Sequence, residues 1–169
     1  LAVIDATGEF GGGAPNAIYV LPGKGDGTFG TPISSGDFGN IMPAIPLAVA
    51  DFNGDGKPDL AMGGYVFLGN GDGTFRMGAT LSENTQSTVG DFNGDGKPDI
   101  AQVGFEGVSI STGNGDGTFN APTVSFLAGT GAIYAAVGDF NGDGKPDVAT
   151  ANTISGNVTV LTNTTNITP

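Results

Sequence analysis

The nonapeptide Asp-Phe-Asn-Gly-Asp-Gly-Lys-Pro-Asp occurs three times without a change, at 51–59, 91–99 and 139–147. Side chains at its first, third and fifth positions alternate along a glycine-broken segment. Asp51, Asn53 and Asp55 therefore fall on one side of a curled backbone, and Asp59 returns to close the same centre. The second copy offers Asp91, Asn93, Asp95 and Asp99, and the third Asp139, Asn141, Asp143 and Asp147. Carboxylates converging in this way repel one another strongly unless a cation sits between them. All the side-chain donors are oxygen, and hard oxygen ligands on a flexible loop suit calcium better than zinc or copper. The carbonyls of Lys57, Lys97 and Lys145 stand at the seventh position, where calcium loops use a backbone ligand. Gly54 and Gly56 free φ where the chain must turn, and Pro58 stiffens the exit. The spacing thus predicts three Ca2+ sites. The plain alternative is a polar turn with no ion, since Asn-Gly and Asp-Gly mark turns. A bare turn, however, has no use for a third carboxylate. An EF-hand fits less well, because position 12 is Met62, Gln102 or Thr150 rather than Glu and the flanks read as short strands rather than helices.

A second motif is interleaved with the first: Gly-Lys-Gly-Asp-Gly-Thr-Phe at 23–29 and Gly-Asn-Gly-Asp-Gly-Thr-Phe at 69–75 and 113–119. Each follows an apolar run and leads into another extended run, the pattern of a hairpin turn with positive-φ glycines. Asp26, Asp72 and Asp116 are single carboxylates, which is ordinary turn chemistry rather than a ligand set.

The elements that must position these loops follow from the spacing. One motif starts at 51, 91 and 139 and the other at 23, 69 and 113, so each recurs every 40 to 48 residues. Such periods indicate a propeller or a solenoid. Each unit holds four extended runs, one before and one after each motif, and four antiparallel strands make a propeller blade. On the stretch Val-x-Asp-Phe-Asn-Gly-Asp-Gly-Lys-Pro-Asp-[Leu/Ile/Val]-Ala and on Gly-Asn-Gly-Asp-Gly-Thr-Phe-x-x-Pro, the chain resembles the FG-GAP/VCBS repeat family, whose blades also build the head of integrin α subunits. The resemblance covers nearly the whole chain. It implies an all-β fold of four-stranded antiparallel blades, with a calcium loop between the first and second strands. In that frame, 1–44 is a partial blade lacking its first strand, 45–84 and 85–130 are whole blades, and 131–169 is a partial blade lacking its last strand. Propellers close with about four to eight blades. The expectation is therefore an incomplete propeller, either part of a longer protein or a subunit completed by other copies.

Composition limits the function. Net charge is −12, and nine of the 14 Asp lie in the three nonapeptides, so the acidity is mostly site chemistry. Four Lys and one Arg make nucleic acid an unsuitable partner. The longest apolar stretch, 41–50, is broken by Pro43 and Pro46, so no membrane insertion is expected. There is no His and no Cys, which removes Ser-His and Cys-His nucleophile systems. The acids outside both motifs, Asp5, Glu9, Asp37, Glu83 and Glu106, share no repeated geometry, and no enzyme is expected in this segment. Without disulfides, calcium takes the stabilising role, each site adding roughly 1–3 kcal/mol at about 10–100 times its dissociation constant. Weak calcium sites belong where calcium is plentiful, so an extracellular or cell-surface location is expected. Asn157, Asn163 and Asn166 open three Asn-x-Thr sequons, a signal that a Thr- and Asn-rich tail also produces by chance.

The leading expectation is a calcium-stabilised β-propeller module for adhesion or ligand recognition, binding protein or glycan. The segments 5–17, 36–44, 82–87 and 102–107, where the repeats diverge, are the candidate contact loops. Glycan-binding aromatics are not visible: there is no Trp, and Tyr19, Tyr65 and Tyr134 read as strand residues. The alternative is a structural subunit of an oligomer or surface filament that exchanges strands or blades with copies of itself. A third reading is the non-catalytic part of a secreted enzyme.

Overall fold

The structure, a computed structural model, describes residues 2–5, 17–39, 47–81, 86–105, 107–122 and 125–165. Within them the chain is all β. A first sheet contains β1 (Ala2–Asp5), β2 (Ala17–Val20) and β3 (Ile33–Asp37). A second contains β4 (Ala48–Ala50), β5 (Asp59–Met62), β6 (Tyr65–Gly69) and β7 (Phe75–Thr80). A third contains β8 (Gln86–Gly90), β9 (Asp99–Gly104), β10 (Gly107–Ser111) and β11 (Ser125–Phe126). A fourth contains β12 (Ala132–Gly138), β13 (Asp147–Asn152) and β14 (Asn157–Leu161). Each sheet is an antiparallel meander in which chain neighbours are also sheet neighbours. Among the described residues no barrel closes, and the architecture is an incomplete, propeller-like β fold.

The two motifs sit where the strands must reverse. The nonapeptide joins the first strand to the second in the second, third and fourth sheets. The Gly-Asp-Gly turn precedes the last strand in the first three. Both depend on left-handed glycines: Gly54 and Gly56 have φ of 71° and 79°, and Gly71 and Gly73 have 86° and 90°. A side chain at these angles is strained, which is why glycine recurs there.

The core lies between sheets. Ile18 of β2 packs with Leu60, Met62 and Phe67 of the second sheet. On that sheet's other face, Ala48, Phe52, Ala61, Val66 and Leu68 pack with Ile100 of β9. One repeat later, Phe92, Ala101, Val103 and Val108 pack with Ala132 and Val148 of the fourth sheet. Successive β5 residues thus serve opposite interfaces, as period-2 alternation requires. The phenylalanines of the first two nonapeptides, Phe52 and Phe92, pack between sheets at 1% and 7% exposure. Phe29 and Phe140 differ, at 48% and 51%, because no further described sheet covers them. The far face of the fourth sheet is open for the same reason. Val158 is 67% exposed where its counterpart Val108 is 1% exposed, and Val160 is 46% exposed where Val66 is fully covered.

The ninth residue of each nonapeptide fastens the loop to the sheet. Asp59 is fully buried, and its two oxygens accept the N–H of Phe52 at 2.9 Å and of Gly69 at 2.7 Å. Asp99 accepts from Phe92 and Gly113, both at 2.9 Å. Asp147 accepts from Phe140 at 2.9 Å and Asn163 at 2.8 Å. One carboxylate therefore joins the start of the loop, the second strand and the end of the third. Charge-assisted bonds of this kind are worth more than neutral ones.

Two outcomes are expected in equilibrium denaturation. Phe52→Ala should cost about 3–5 kcal/mol through the cavity it leaves, and Phe140→Ala, at the same repeat position but exposed, under about 1 kcal/mol. Equal losses would contradict the sheet-stacking description. Asp99→Asn, which sets an amide N–H against one of two buried backbone N–H groups, should cost about 2–3 kcal/mol.

Candidate metal centres and a groove between sheets

In the first nonapeptide, Asp51 accepts the N–H of Asp55 at 3.1 Å and of Gly56 at 2.8 Å. Asn53 Oδ1 accepts the Asp55 N–H at 2.9 Å, and Asn53 Nδ2 donates to Asp55 Oδ2 at 3.3 Å. Asp55 Oδ1 accepts the Lys57 N–H at 3.0 Å. The second loop repeats this network through Asp91, Asn93, Asp95 and Lys97, and the third through Asp139, Asn141, Asp143 and Lys145. In the later two loops the first Asp also accepts from Gly94 or Gly142, at 2.7 Å in each case. The loops are Asx-turned coils whose carboxylate oxygens face their own backbone.

The electrostatics separate the inner from the outer acids. Burial pushes the Asp59 carboxyl above its ordinary value, backbone N–H groups from Gly69 and Phe52 oppose this, and the charges of Asp55 and Asp51 add to the rise. Asp99 is raised by burial too, with Asp95 contributing. At Asp55, partial desolvation is outweighed by the Lys57 N–H, the Asn53 amide and the Lys57 charge, so its carboxyl lies low. The Lys97 N–H lowers Asp95, and the Gly144 N–H leads the lowering of Asp139. Lys57 Nζ lies 3.5 Å from Asp55 Oδ2, across an exposed pair that adds little stability.

A hard divalent cation suits this donor set. Every side-chain donor is oxygen, and Asp51 and Asp55 lie near enough to Asp59 for their charges to act on it. The side-chain arrangement is a different matter: among the described residues no three acidic side chains form a group that could hold a metal ion. The oxygens that would ligate are turned to backbone N–H groups. The sequence reading gave Asp59 one role, closing the ion site. Its bonds to Phe52 and to Gly69, ten residues on, give it a second one that local spacing does not reveal.

The Gly-Asp-Gly carboxylates are turn residues. Asp26 accepts from the Thr28 N–H at 2.9 Å and the Thr28 hydroxyl at 2.7 Å. Asp72 and Asp116 repeat the pattern with Thr74 and Thr118. The Thr hydroxyl, then the Thr N–H, hold all three carboxyls below the usual range.

Of the sequons, Asn157 is exposed, whereas the Asn163 amide donates to the Phe92 carbonyl at 2.9 Å and is committed to the fold. Asn166, Glu9, Glu83 and Glu106 lie outside the described residues, as does most of 5–17, 36–44 and 82–87. In 102–107, Gln102 is buried in β9 rather than presented on a loop. Sequence reasoning missed a groove of about 380 Å³ between the second and third sheets, lined by Thr80, Leu81, Gln102, Ser111, Phe119 and Asn120. It combines buried amide and hydroxyl groups with one aromatic face, and its volume is that of a small-ligand site. Only the packing of two sheets brings these residues together.

The sequence profile of the FG-GAP-like repeat matches residues 3–62 and 91–150. No curated protein sequence matches the chain. Five solved chains match it in structure. One is an Agrocybe aegerita lectin, solved to show specific recognition of non-reducing terminal N-acetylglucosamine. That likeness has a TM-score of 0.55 at 25% identity and covers 96% of this chain and 51% of the lectin. The chain thus spans about half the length of the lectin. With two matches that together take in well over half of its residues, the chain belongs to the FG-GAP-like repeat family.

Proposed function

We propose that this chain is a calcium-stabilised, extracellular, non-catalytic recognition module whose ligand is a glycan. The observation that carries the reading is the likeness to the N-acetylglucosamine-recognising lectin across 96% of the chain. The groove between the second and third sheets supports it. Sugar recognition needs several hydrogen-bonding groups beside an apolar face, and Thr80, Gln102, Ser111 and Asn120 beside Phe119 supply both. Asn120 is held in place by its donation to the Thr112 hydroxyl at 2.9 Å.

Calcium would be held by Asp51, Asn53, Asp55, Asp59 and the Lys57 carbonyl, and by their equivalents in the other two loops. The ion supplies charge neutralisation among acids that otherwise oppose one another. The protein's own groups fix the loop ends, through the Phe52 and Gly69 N–H bonds to Asp59 and their counterparts. Extracellular calcium is abundant enough to fill weak sites. Among the described residues no helix is long and apolar enough to cross a membrane.

Two experiments test this. Calorimetric titration should find three calcium ions per chain, and two after Asp55→Ala, with a rise in melting temperature that magnesium does not reproduce. At calcium 100 times the dissociation constant, each ion adds about 2.7 kcal/mol. An unchanged melting temperature in millimolar calcium would remove the metal from the account. Saturation-transfer NMR with N-acetylglucosamine in calcium buffer should show contact, weakened at least tenfold by Asn120→Ala. Failure of a broad glycan panel to bind at millimolar concentration would sink the glycan reading.

A further inference from the structure

The Gly-Asp-Gly turn of the third sheet carries a relay of hydrogen bonds that ends on the groove. It starts at Asp116, whose carboxylate can only accept. The Thr118 hydroxyl donates to Asp116 Oδ1 at 2.6 Å, which leaves the Thr118 oxygen as an acceptor. Asn114 Nδ2 donates to that oxygen at 2.9 Å, so the other end of the same amide, Oδ1, is also an acceptor. Asn120 Nδ2 donates to Asn114 Oδ1 at 3.1 Å and to the Thr112 hydroxyl at 2.9 Å. Each step permits one direction for the next, because an acceptor set against an acceptor repels.

Asn120 is the outlet of the relay. An amide nitrogen has two protons, and both of those on Asn120 are engaged within the turn. The residue is exposed and lines the groove, and its Oδ1 has no bond among the described residues. The backbone around it is fixed as well. The Asn120 N–H donates to the Thr112 carbonyl at 2.9 Å, and the Asn114 N–H to the Thr118 carbonyl at 3.0 Å. The groove therefore meets an acceptor of set direction.

The other two Gly-Asp-Gly turns do not complete the relay. In the second sheet Thr74 donates to Asp72 at 2.6 Å and Asn70 to Thr74 at 2.9 Å. There Arg76 stands in the place of Asn120, and Leu68 in that of Thr112. In the first sheet Lys24 and Gly30 replace the two amides. The groove wall departs from the repeat together with the relay. Gln102 and Ser111 are buried where the second sheet buries Met62 and Phe67. Coordinated departures from a repeat mark a special role.

We infer that Asp116, Thr118 and Asn114 are positioning residues that hold Asn120 Oδ1 as a fixed acceptor, so that the groove selects neutral sugars donating a hydroxyl or amide proton to it. The inference rests on the glycan reading of the groove and adds the direction of one of its hydrogen bonds. A ligand atom that can only accept meets Oδ1 with like polarity. Anionic sugars are disfavoured further, because the described lining has no charged side chain to pair with them and the chain carries a net charge of −12. An amide already oriented by its neighbours loses little freedom when the ligand binds.

The test uses the full chain in calcium buffer and the methyl glycoside of N-acetylglucosamine. Its analogues replace each hydroxyl in turn by fluorine, which donates no proton, and the acetamido N–H by an ester oxygen. NMR titration should find one analogue roughly tenfold weaker than the parent. Thr118→Val, two hydrogen bonds from Asn120, should bring that ratio to within about twofold, whereas Thr118→Ser keeps the hydroxyl and should retain it. Without ligand, the Asn120 side-chain amide protons should exchange about tenfold faster in Thr118→Val than in the parent chain or Thr118→Ser. If Thr118→Val does not fold, Asn114→Ala takes its place. No binding at millimolar glycoside would overturn the glycan reading and this inference together. Binding with every analogue equal to the parent would leave the glycan reading standing and overturn this inference alone. So would a selectivity, or an Asn120 exchange rate, that Thr118→Val leaves unchanged.

Discussion

A four-stranded sheet with apolar residues on both faces cannot bury them alone, and contact between successive sheets is the constraint on which this structure depends. Ala61 and Leu60 are adjacent in β5 yet serve different interfaces, one towards the third sheet and one towards the first. The loops that carry the acidic motifs are set by the same requirement. Phe52 lies between Asp51 and Asn53, two candidate ligand positions of the nonapeptide, and is itself a core residue, packed under Phe119 of the next sheet. Loop chemistry and sheet packing are thus written in one peptide. A change at Phe52 would disturb the acids on both sides of it without touching a carboxylate.

Much of this was legible in the sequence. The family resemblance implied that the nonapeptide lies between first and second strands, the extended runs flanking the Gly-Asp-Gly motif marked it as a hairpin turn, and the strand order and glycine φ values agree. The all-β class followed from the four extended runs per repeat. What the repeat could not reveal is whether a given copy has a neighbour. Phe52 and Phe140 sit in identical nonapeptides, one buried and one half exposed, because burial is a property of the adjacent sheet. The second role of Asp59 was hidden for a related reason: its partner Gly69 is ten residues away and meets it only across a strand pair. The groove between the second and third sheets was equally invisible, since β7, β9 and the segment after Phe119 supply its wall.

The end of the fourth sheet shows how one substitution redirects a repeat. Where the other sheets use glycine to enter a turn, Asn163 keeps the backbone bond to the ninth Asp and spends its side chain on Phe92. Departures from a repeat are the places where special roles concentrate, because the common pattern already accounts for stability.

The central claim is that stability here comes from sheet-to-sheet burial, graded by how many neighbours a sheet has. Native-state hydrogen exchange on the intact chain tests it most directly, because it reports opening free energies strand by strand. The account predicts that amides of β5 and β9, whose sheets are covered on both faces, share the slowest exchange. β12 and β14, on a sheet with one open face, should exchange measurably faster. Uniform protection across all four sheets, or greatest protection in the fourth, would contradict it.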